Sequence, residues 1–517
     1  SPLTPPPTPT PPPPKTTPDP RSLFTSFYYN LAKLPAQPLQ PRLADERIGY
    51  FVMTRTDYTE DAQPKTKQHW IKRWRLEKQD PQAALSAPKQ PITFWLDKNI
   101  PVKYRASVRQ AVLEWNKAFE KIGYQNAIVV QQQSDTDSFN TMDARHASVR
   151  WFTGSDIGFA IGPSHADPRT GEILDADMGM SDVFARGARR QVSEDLHHAH
   201  ATHSHDGTHC DYAQQAQQEL DFGMDLLEAR GLDMDGPEAE ALAQAYVKAT
   251  MMHEVGHVLG LRHNFRASTV HSLKDLHNPA FAGSKGLATS VMDYIPFNLT
   301  AEGQPTSQMV MSTLGEYDYW AIEYGYREIA PADEARVLAQ IASRAREPQL
   351  AFATDEDAGY GPMSGVDPLI NRFDLGNDPL AYYKHRMQLS KELWRRIEKL
   401  KLAENPGYTP SCSLNPVMAC SPVMKSWQAS LFGFPNPLIG IAAFAVVVTL
   451  GVVVLSGSNL ARWVWGGLQI GILLGLIFVL WLMYSSLYDI GKLCIYCMVV
   501  WAVTIAMFGA ITVRNLM

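Results

Sequence analysis

Three long apolar runs constrain this chain of 517 residues more than any other feature of its sequence. They are Pro437–Leu455, Trp463–Tyr484 and Cys494–Val513, with lengths of 19, 22 and 20 residues and no internal Lys, Arg, Asp or Glu. A helix of about 20 apolar residues crosses a bilayer core of ~30 Å, whereas a buried soluble hairpin rarely supplies three such runs. The sequence therefore predicts an all-α transmembrane bundle of three helices at residues 437–517.

Charged residues are distributed so unevenly that the chain divides near residue 400. Only five charged residues follow Glu404, whereas the preceding part has the polar composition of a soluble protein. The net charge is −6 and the pI about 6.2, so the overall basic charge typical of nucleic-acid binding is lacking, and we expect no nucleic-acid partner. Eleven of the first 20 residues are proline, which predicts a Pro-rich disordered tether at residues 1–20.

Strand and helix patterns follow the tether up to residue 395. Residues 21–90 are predicted to be β-rich, with runs such as "RIGYFVMT" and "HWIKRWRLE". From residue 91 onward the order is strand, helix, strand, strand, strand, helix, which predicts an α/β (α+β) domain at 91–395. The first of these helices has an apolar stripe that consists of Val108, Ala111, Val112, Trp115, Ala118, Phe119 and Ile122.

The last predicted helix, at about 237–261, carries the motif "HEVGHVLGLRH". His253 and His257 lie four residues apart, so both imidazoles leave the same face of a helix. Glu254 can reach a metal-bound water, and Gly260 allows the chain to turn so that His263 becomes a third ligand. Three protein ligands leave a fourth position open, as in a catalytic zinc site; a helix with surface histidines is the alternative.

This stretch matches the pattern HExxHxxGxxH, and through it the chain resembles the metzincin metalloproteases. Members of that clan have a methionine turn downstream, which "SVMDYIPFN" supplies with Met292. In astacin- and serralysin-like members a tyrosine two residues after the methionine can contact zinc; Tyr294 holds that place, and a packed turn tyrosine is the alternative. The resemblance implies a zincin-like fold, a zinc cofactor bound by the three histidines of the motif, and Glu254 as the general base.

A longer likeness covers residues from about 40 to 395. The segments "EWNKAFEKIGY", "GEILDADMGMSDVF" and "GEYDYWAIEYGY" resemble one bacterial group of large zinc-dependent metalloproteases. Members of that group are usually longer at both ends, so the region 21–90 is expected to be truncated. The resemblance implies hydrolysis of peptide bonds in an extended peptide or protein substrate. It also implies that the strand around 171–184 is the sheet edge that pairs with the substrate.

Six histidines lie between His197 and His209, directly before Cys210. A solvated loop that binds stray metal is one interpretation of this run, and a zinc-loading or second metal site is the other. The thiol beside it is expected to be unpaired rather than a metal ligand.

The four remaining cysteines lie in the apolar part of the chain. Cys412 and Cys420 precede the first apolar run, and Cys494 and Cys497 open the third as a CxxC. Two predicted spans separate the pairs, so we expect all four thiols at the same membrane face. Flanking Lys and Arg give no independent orientation, but paired cysteines favour the oxidising, extracytoplasmic side. With three spans, the large N-terminal domain is expected on that side too.

Residues from about 397 to 517 resemble the bacterial vitamin K epoxide reductase family, and specifically its actinobacterial members, through "YTPSCSLNPVMACSPVMKSWQASLFGFPNPLIG" and "SLYDIGKLCIYCMVVWAV". The resemblance implies that Cys494 and Cys497 are reoxidised by a quinone, either menaquinone or ubiquinone. It implies that Cys412 and Cys420 carry electrons from a thioredoxin-like periplasmic oxidoreductase, and that Asn436 contacts the quinone. Structural disulfides without turnover are the alternative.

Two departures from that family are visible. Animal relatives have a tyrosine four residues after the second cysteine of the CxxC, where this chain has Trp501. The family has at least four spans, and the place of its first span is taken here by "DPLAYYKHRMQLSKELWRR", which is too polar to cross a bilayer. We expect a bundle without that helix to bind quinone poorly.

The two halves meet without a linker in "ELWRRIEKLKLAENPGY", and residues 396–436 are predicted to be a junction and an extracytoplasmic loop. The sequence predicts a zinc metallo-endopeptidase joined to a quinone-linked thiol–disulfide oxidoreductase and embedded in membrane lipid. One alternative is an accidental gene fusion in which only one half is active. Another is a zinc-binding module tethered by an inactive membrane anchor.

Overall fold

The computed structural model divides into two compact units, Ser1–Ser390 and Lys391–Met517. The predicted tether and the histidine-rich run with Cys210 lie outside the described residues. The described residues are 27–59, 65–153, 160–182, 212–233, 236–305, 307–360, 363–365, 367–404, 426–432, 436–455, 460–493 and 495–516.

Strands and helices are mixed in the first unit, as the sequence predicts. The described strands are β1 (Val52–Thr56), β2 (Lys67–Ile71), β3 (Arg73–Trp74), β4 (Ile92–Leu96), β5 (Ile128–Gln132), β6 (Ser148–Phe152), β7 (Ala160–Ile161), β8 (Ser164–Ala166), β9 (Glu172–Ser181), β10 (Gly359–Tyr360) and β11 (Met363–Ser364). The described helices are α1 (Val102–Glu114), α2 (Asn116–Lys121), α3 (Tyr212–Ala229), α4 (Pro237–Val258), α5 (Leu273–Leu276), α6 (Pro279–Lys285), α7 (Glu316–Tyr326), α8 (Glu334–Ala342) and α9 (Asp355–Ala358), followed by α10 (Pro379–Glu404), which contains the boundary between the units.

A seven-stranded sheet forms the centre of the first unit. Its parallel strands lie in the order β3, β9, β6, β4, β5, and the short strands β7 and β8 pair with β9 in the antiparallel direction. Within β4 the apolar side chains of Ile92, Phe94 and Leu96 are buried, while Thr93 and Trp95 between them are partly exposed. This alternation with a period of two is what keeps one face of the strand in the core.

The position of β9 corrects one expectation. The strand around 171–184 was expected at the edge of the sheet, but β9 is an interior strand. On one side, β9 pairs with both β3 and β6. On its other side, β9 pairs in the antiparallel direction with the segment that forms β7 and β8. That segment, residues 160–166, is short and is interrupted by Gly162 and Pro163, so it lacks the alternating pattern that would have predicted strands.

Helices α1, α2 and α4 supply much of the rest of the core. Six of the seven predicted stripe residues on α1 and α2 are buried, and only Ile122 is partly exposed, so the predicted apolar stripe is confirmed. The indole of Trp115 donates to the carbonyl of Met252 on α4 at 3.0 Å. Helix α4 begins with Pro237, where the missing N–H costs nothing, and buries nearly every residue of its last three turns. It is therefore a core helix that carries the histidine motif on buried backbone.

The N-terminal β-rich region is built into the same unit. Strand β3 belongs to the central sheet, and Tyr50 forms a bridge with Leu261 just beyond α4. The buried guanidinium of Arg42 donates to the carbonyls of Tyr324, Gly325 and Arg327 at the end of α7. Carbonyls at a helix C-terminus have no partners within the helix, so this cation satisfies groups that would otherwise be buried unpaired.

The second unit contains fewer membrane spans than expected. Its helices are α11 (Pro437–Leu455), α12 (Arg462–Tyr484) and α13 (Ile495–Leu516). Among the described residues, two stretches are long and apolar enough to cross a membrane, Arg462–Asp489 and Cys497–Asn515.

The prediction of three spans is therefore corrected to two. Within α11 the described apolar stretch, Ile439–Val454, is shorter than these two and is not among the candidate spans. Helix α10 carries charged residues along its length and is not among the candidate spans.

We predict that Arg42→Met lowers the free energy of unfolding by about 3 kcal/mol, because three buried carbonyls lose their donor. Urea unfolding of the full-length chain in detergent, followed by tryptophan fluorescence, measures this loss. Arg47→Met is the matched control, since Arg47 is half-exposed and pairs only with nearby Asp45; it should stay within about 0.5 kcal/mol of wild type. Equal losses in both variants would contradict the capping role.

Candidate active site

Helix α4 carries two histidines and the glutamate of the motif in its last two turns. His253, Glu254 and His257 are buried, with exposed fractions of 2%, 0% and 5%. The helix ends at Val258, and Gly260 then takes a φ of +101°, a conformation that residues with a Cβ rarely adopt. The turn directs the chain back toward the helix, so that His263, with an exposed fraction of 8%, joins the other two imidazoles.

Each imidazole directs its Nδ1 atom at an oxygen. Nδ1 of His253 lies 2.7 Å from the carbonyl of Val291, and Nδ1 of His257 lies 2.9 Å from the carbonyl of Leu261. Nδ1 of His263 lies 2.9 Å and 3.0 Å from the two carboxylate oxygens of Asp355. Because carbonyl and carboxylate oxygens only accept hydrogen bonds, Nδ1 carries the proton in all three rings, and Nε2 keeps its lone pair.

The three rings can together hold one metal ion. Their ligand atoms lie within 4.8 Å of one another, and Nε2 of His257 is 3.1 Å from Nε2 of His263. Two nitrogens bound to a tetrahedral zinc ion at ~2.0–2.1 Å are about 3.3 Å apart, so the spacing fits zinc. Among the described residues, no other cluster of His, Cys, Asp or Glu fits a metal in this way.

Burial keeps the imidazoles of His253 and His257 neutral, which is the form that binds metal. Burial is the main cause that lowers the pKa of His257, and the neighbouring His263 is the second; together they bring this pKa to about 3. The pKa of His253 also falls well below its ordinary value, chiefly through burial and then through the other two rings. The donor set is therefore chemically suited to zinc at any pH near neutrality.

Glu254 lies beside the histidines without a hydrogen-bond partner of its own. Both of its carboxylate oxygens are buried and unsatisfied. Burial alone raises the pKa of Glu254 to about 8. A buried carboxyl group is costly unless something satisfies it, and such groups concentrate at functional sites.

The predicted methionine turn lies directly beneath the helix. Met292 is fully buried, and a Cβ added at Gly256 would lie 2.1 Å from its sulfur, so the glycine inside the motif is required by this packing. The same turn supplies the Val291 carbonyl that accepts from His253. The hydroxyl of Tyr294 lies 2.8 Å from Nε2 of His263, so the structure brings this tyrosine to the three histidines.

Two carboxyl groups that sequence reasoning missed organise this region. Asp318 is fully buried and accepts from the hydroxyl of Ser290 and the backbone N–H groups of Val291 and Gly315. Burial raises the pKa of Asp318 to about 7. Asp355 is the partner of His263 described above. Both lie far along the chain from the motif. Only Asp318 lies in a segment, "GEYDYW", that resembles the metalloproteases in sequence.

Two further elements lie against the motif from distant parts of the sequence. A Cβ added at Gly162, between β7 and β8, would lie 2.9 Å from the carbonyl oxygen of Glu254 and 3.3 Å from Cβ of His257. The ring of Phe51 lies 5.7 Å from the imidazole of His257. The segment 160–166 therefore crosses the helix at the motif, in the place predicted for the strand that became β9.

The predicted redox residues are only partly described. Cys412, Cys420 and Cys494 lie outside the described residues, and Cys497 is partly buried in the first turn of α13. Asn436 donates its side-chain N–H to the carbonyl of Gln428 at 2.6 Å, and its buried Oδ1 atom has no hydrogen-bond partner.

Aromatic side chains accompany Asn436 in the second unit. The rings of Trp427 and Trp481 lie 5.8 Å apart, as do those of Phe432 and Phe478.

Three family models match parts of the chain. Residues 235–416 match the Met-zincin model, residues 393–512 match the vitamin K epoxide reductase family, and residues 13–79 match a domain of unknown function. No curated protein and no solved structure matches the chain. Both resemblances drawn from the sequence are thereby confirmed: the chain contains a Met-zincin domain and a vitamin K epoxide reductase family domain, and the two matches share residues 393–416.

We predict that Gly260→Ala destabilises the protein more than Gly231→Ala does. Gly260 and Gly231 have nearly the same φ, +101° and +99°, so both variants incur the same backbone strain of about 1–2 kcal/mol. Only at Gly260 would the new Cβ meet another atom, the carbonyl oxygen of Lys72 at 2.1 Å, whereas nothing lies within 4 Å at Gly231.

The overlap at Gly260 should add about 1–3 kcal/mol to the loss, measured as the difference between the two unfolding free energies of the full-length chain. Similar losses in the two variants would show that Lys72 does not pack on this turn.

Proposed function

We propose that the first unit is a zinc-dependent metallo-endopeptidase. The observation that carries the proposal is the set of three imidazoles with anchored Nδ1 atoms and converging Nε2 atoms, beside a buried glutamate whose oxygens have no partner. The match of residues 235–416 to the Met-zincin model supports the same activity.

We assign the roles as follows. His253, His257 and His263 bind the metal through Nε2, and Tyr294 and Met292 support the site. A zinc ion held there would polarise the scissile carbonyl and lower the pKa of water. Glu254 accepts the proton of the attacking water on a carboxylate oxygen and passes it to the leaving nitrogen. Burial raises the pKa of Glu254 in the metal-free protein, and a zinc ion beside it would favour the carboxylate, which is the form that accepts the proton.

An extended peptide or protein is the proposed substrate. Strands β7 and β8 use one side to pair with β9, and no other described strand pairs with them. An extended chain can add to such an edge through main-chain hydrogen bonds. Since Gly162 lies against the helix at Glu254, a peptide on this edge would pass close to the catalytic residues.

We predict that the full-length protein binds about one zinc ion per chain and that His257→Ala loses it. Glu254→Gln should keep the zinc but lower peptidase activity by roughly 10²–10⁴-fold, because the ligands and the general base are different groups. Metal analysis of the purified chain and cleavage of a quenched fluorescent peptide library measure the two effects.

Each variant is a control for the other, because His257→Ala tests a metal ligand and Glu254→Gln tests the general base. Zinc retained in His257→Ala would remove that histidine from the ligand set. Wild-type activity in Glu254→Gln would remove Glu254 from the mechanism, and wild-type protein without zinc would end the proposal.

We propose a second activity for the C-terminal part, a quinone-linked thiol–disulfide oxidoreductase. The match of residues 393–512 to the vitamin K epoxide reductase family supports it. By that likeness, Cys494 and Cys497 react with the quinone, and Cys412 and Cys420 exchange with a thioredoxin-like protein. The unsatisfied Oδ1 atom of Asn436 would bind the quinol hydroxyl.

We further propose a multi-pass membrane protein with the protease unit on the extracytoplasmic side; both pairs of redox cysteines share one side only if α11 crosses the bilayer together with α12. The apolar helices and the family match support membrane embedding. The orientation is inferred from the paired cysteines, which need an oxidising compartment. Two competing interpretations remain open to experiment: an accidental fusion with one active half, and a zinc-binding module on an inactive anchor.

We predict that Cys494 and Cys497 form a reversible disulfide that exchanges with Cys412 or Cys420. Quinone-dependent turnover should be slow or absent in the isolated chain and should be restored when a first span is added in trans. Thiol alkylation followed by mass spectrometry detects the disulfides, and quinol absorbance measures turnover, with Cys494→Ala as the inactive control. Normal quinone reduction without the added span would show that the missing helix is not needed.

A further inference from the structure

The third imidazole of the site is the one that helix α4 does not hold. His253 and His257 are fixed by a buried helix, whereas His263 lies on the chain beyond Gly260. The backbone on either side of it is tied to other segments: Arg262 donates its N–H to the carbonyl of Gly49, and Asn264 donates to that of Met292. These bonds place the backbone, and the hydroxyl of Tyr294 contacts Nε2 of the imidazole ring at 2.8 Å.

Asp355 contacts the other nitrogen of this ring, Nδ1. Both of its carboxylate oxygens lie within 3.0 Å of Nδ1 of His263. The contact spans 92 positions of sequence, so nothing in the motif itself announces it.

Arg372 holds Asp355 from the opposite direction. Its guanidinium lies 3.7 Å from a carboxylate oxygen of Asp355, donates to the carbonyl of Gly359, and rests over the ring of Phe265 at 4.7 Å. Asp355 is therefore confined between a histidine on one side and a cation on the other. A carboxylate confined in this way cannot turn toward solvent without giving up both partners.

We propose that Asp355 is a positioning residue for the third metal ligand, kept in place by Arg372, so that metal affinity depends on both residues. This inference rests on the proposed zinc site. The carboxylate fixes the proton on Nδ1, which leaves the Nε2 lone pair for the metal and makes that nitrogen a stronger donor. A partner of this kind is typically worth 10- to 100-fold in metal affinity.

The test is the zinc dissociation constant of the full-length protein in detergent, measured by competition with a chromophoric chelator. Asp355→Ala should weaken zinc binding about 10- to 100-fold, and Asp355→Asn by less, since its amide oxygen can still accept from Nδ1. Arg372→Gln should lie between wild type and Asp355→Ala. Glu356→Gln is the matched control, because this neighbouring carboxylate is exposed and pairs with Arg262 instead; its affinity should stay within about twofold of wild type.

A second measurement separates positioning from loss of fold. Cobalt(II)-loaded Asp355→Asn should show shifted visible absorption bands, whereas its metal-free far-UV circular dichroism should match wild type. If Asp355→Ala does not fold, Asp355→Asn and Arg372→Gln carry the test. Zinc affinity in these folded variants equal to wild type would overturn the role of Asp355, whereas wild-type protein that binds no zinc would overturn the zinc site itself.

Discussion

Two imidazole nitrogens that both carry lone pairs repel each other unless a cation lies between them. Nε2 of His257 and Nε2 of His263 are 3.1 Å apart in a buried environment, and the carbonyl of Leu261 and the carboxylate of Asp355 prevent either ring from adopting the other tautomer. This arrangement is unfavourable by itself and favourable around a metal ion. Much of the surrounding structure can be understood as what holds it: the buried helix, the turn at Gly260 and the methionine turn beneath.

Holding such a site lowers the stability of the metal-free protein. The pKa of Glu254 is about 8 when folded and near its ordinary value of 4.5 when unfolded, so the folded state keeps a proton that the unfolded chain releases. Stability of the metal-free form therefore falls as pH rises from about 4.5 to about 8. The pKa of Asp318 is raised to about 7, and this carboxyl acts in the same direction. A positive ion beside Glu254 would favour its charged form, so metal binding and the stability of this region are coupled.

Local patterns in the sequence were reliable guides to local structure, and contacts between distant segments were not. The histidine motif follows from helix geometry, and the apolar stripe on α1 and α2 follows from a 3.6-residue period. Asp355 and Arg372 could not be found this way, because a carboxylate in "TDEDAG" has no feature that links it to a histidine 92 residues earlier. The edge segment 160–166 was missed since two- and three-residue strands beside Gly162 and Pro163 have no detectable period. Strand β9 was instead assigned the edge role on likeness alone.

The membrane topology of the second unit depends on whether α11 crosses the bilayer. If α11 and α12 both cross, two spans separate Cys412 and Cys420 from Cys494 and Cys497, and all four thiols face one compartment. If only α12 crosses, the pairs lie on opposite faces, and thiol exchange between them is impossible because a disulfide needs its sulfurs in contact. The helix has 19 residues and reaches about 28 Å at ~1.5 Å per residue, close to a bilayer core of ~30 Å. A small thinning of the bilayer would cover that difference at modest cost, so detection of exchange between the two cysteine pairs would show that α11 spans the membrane as well.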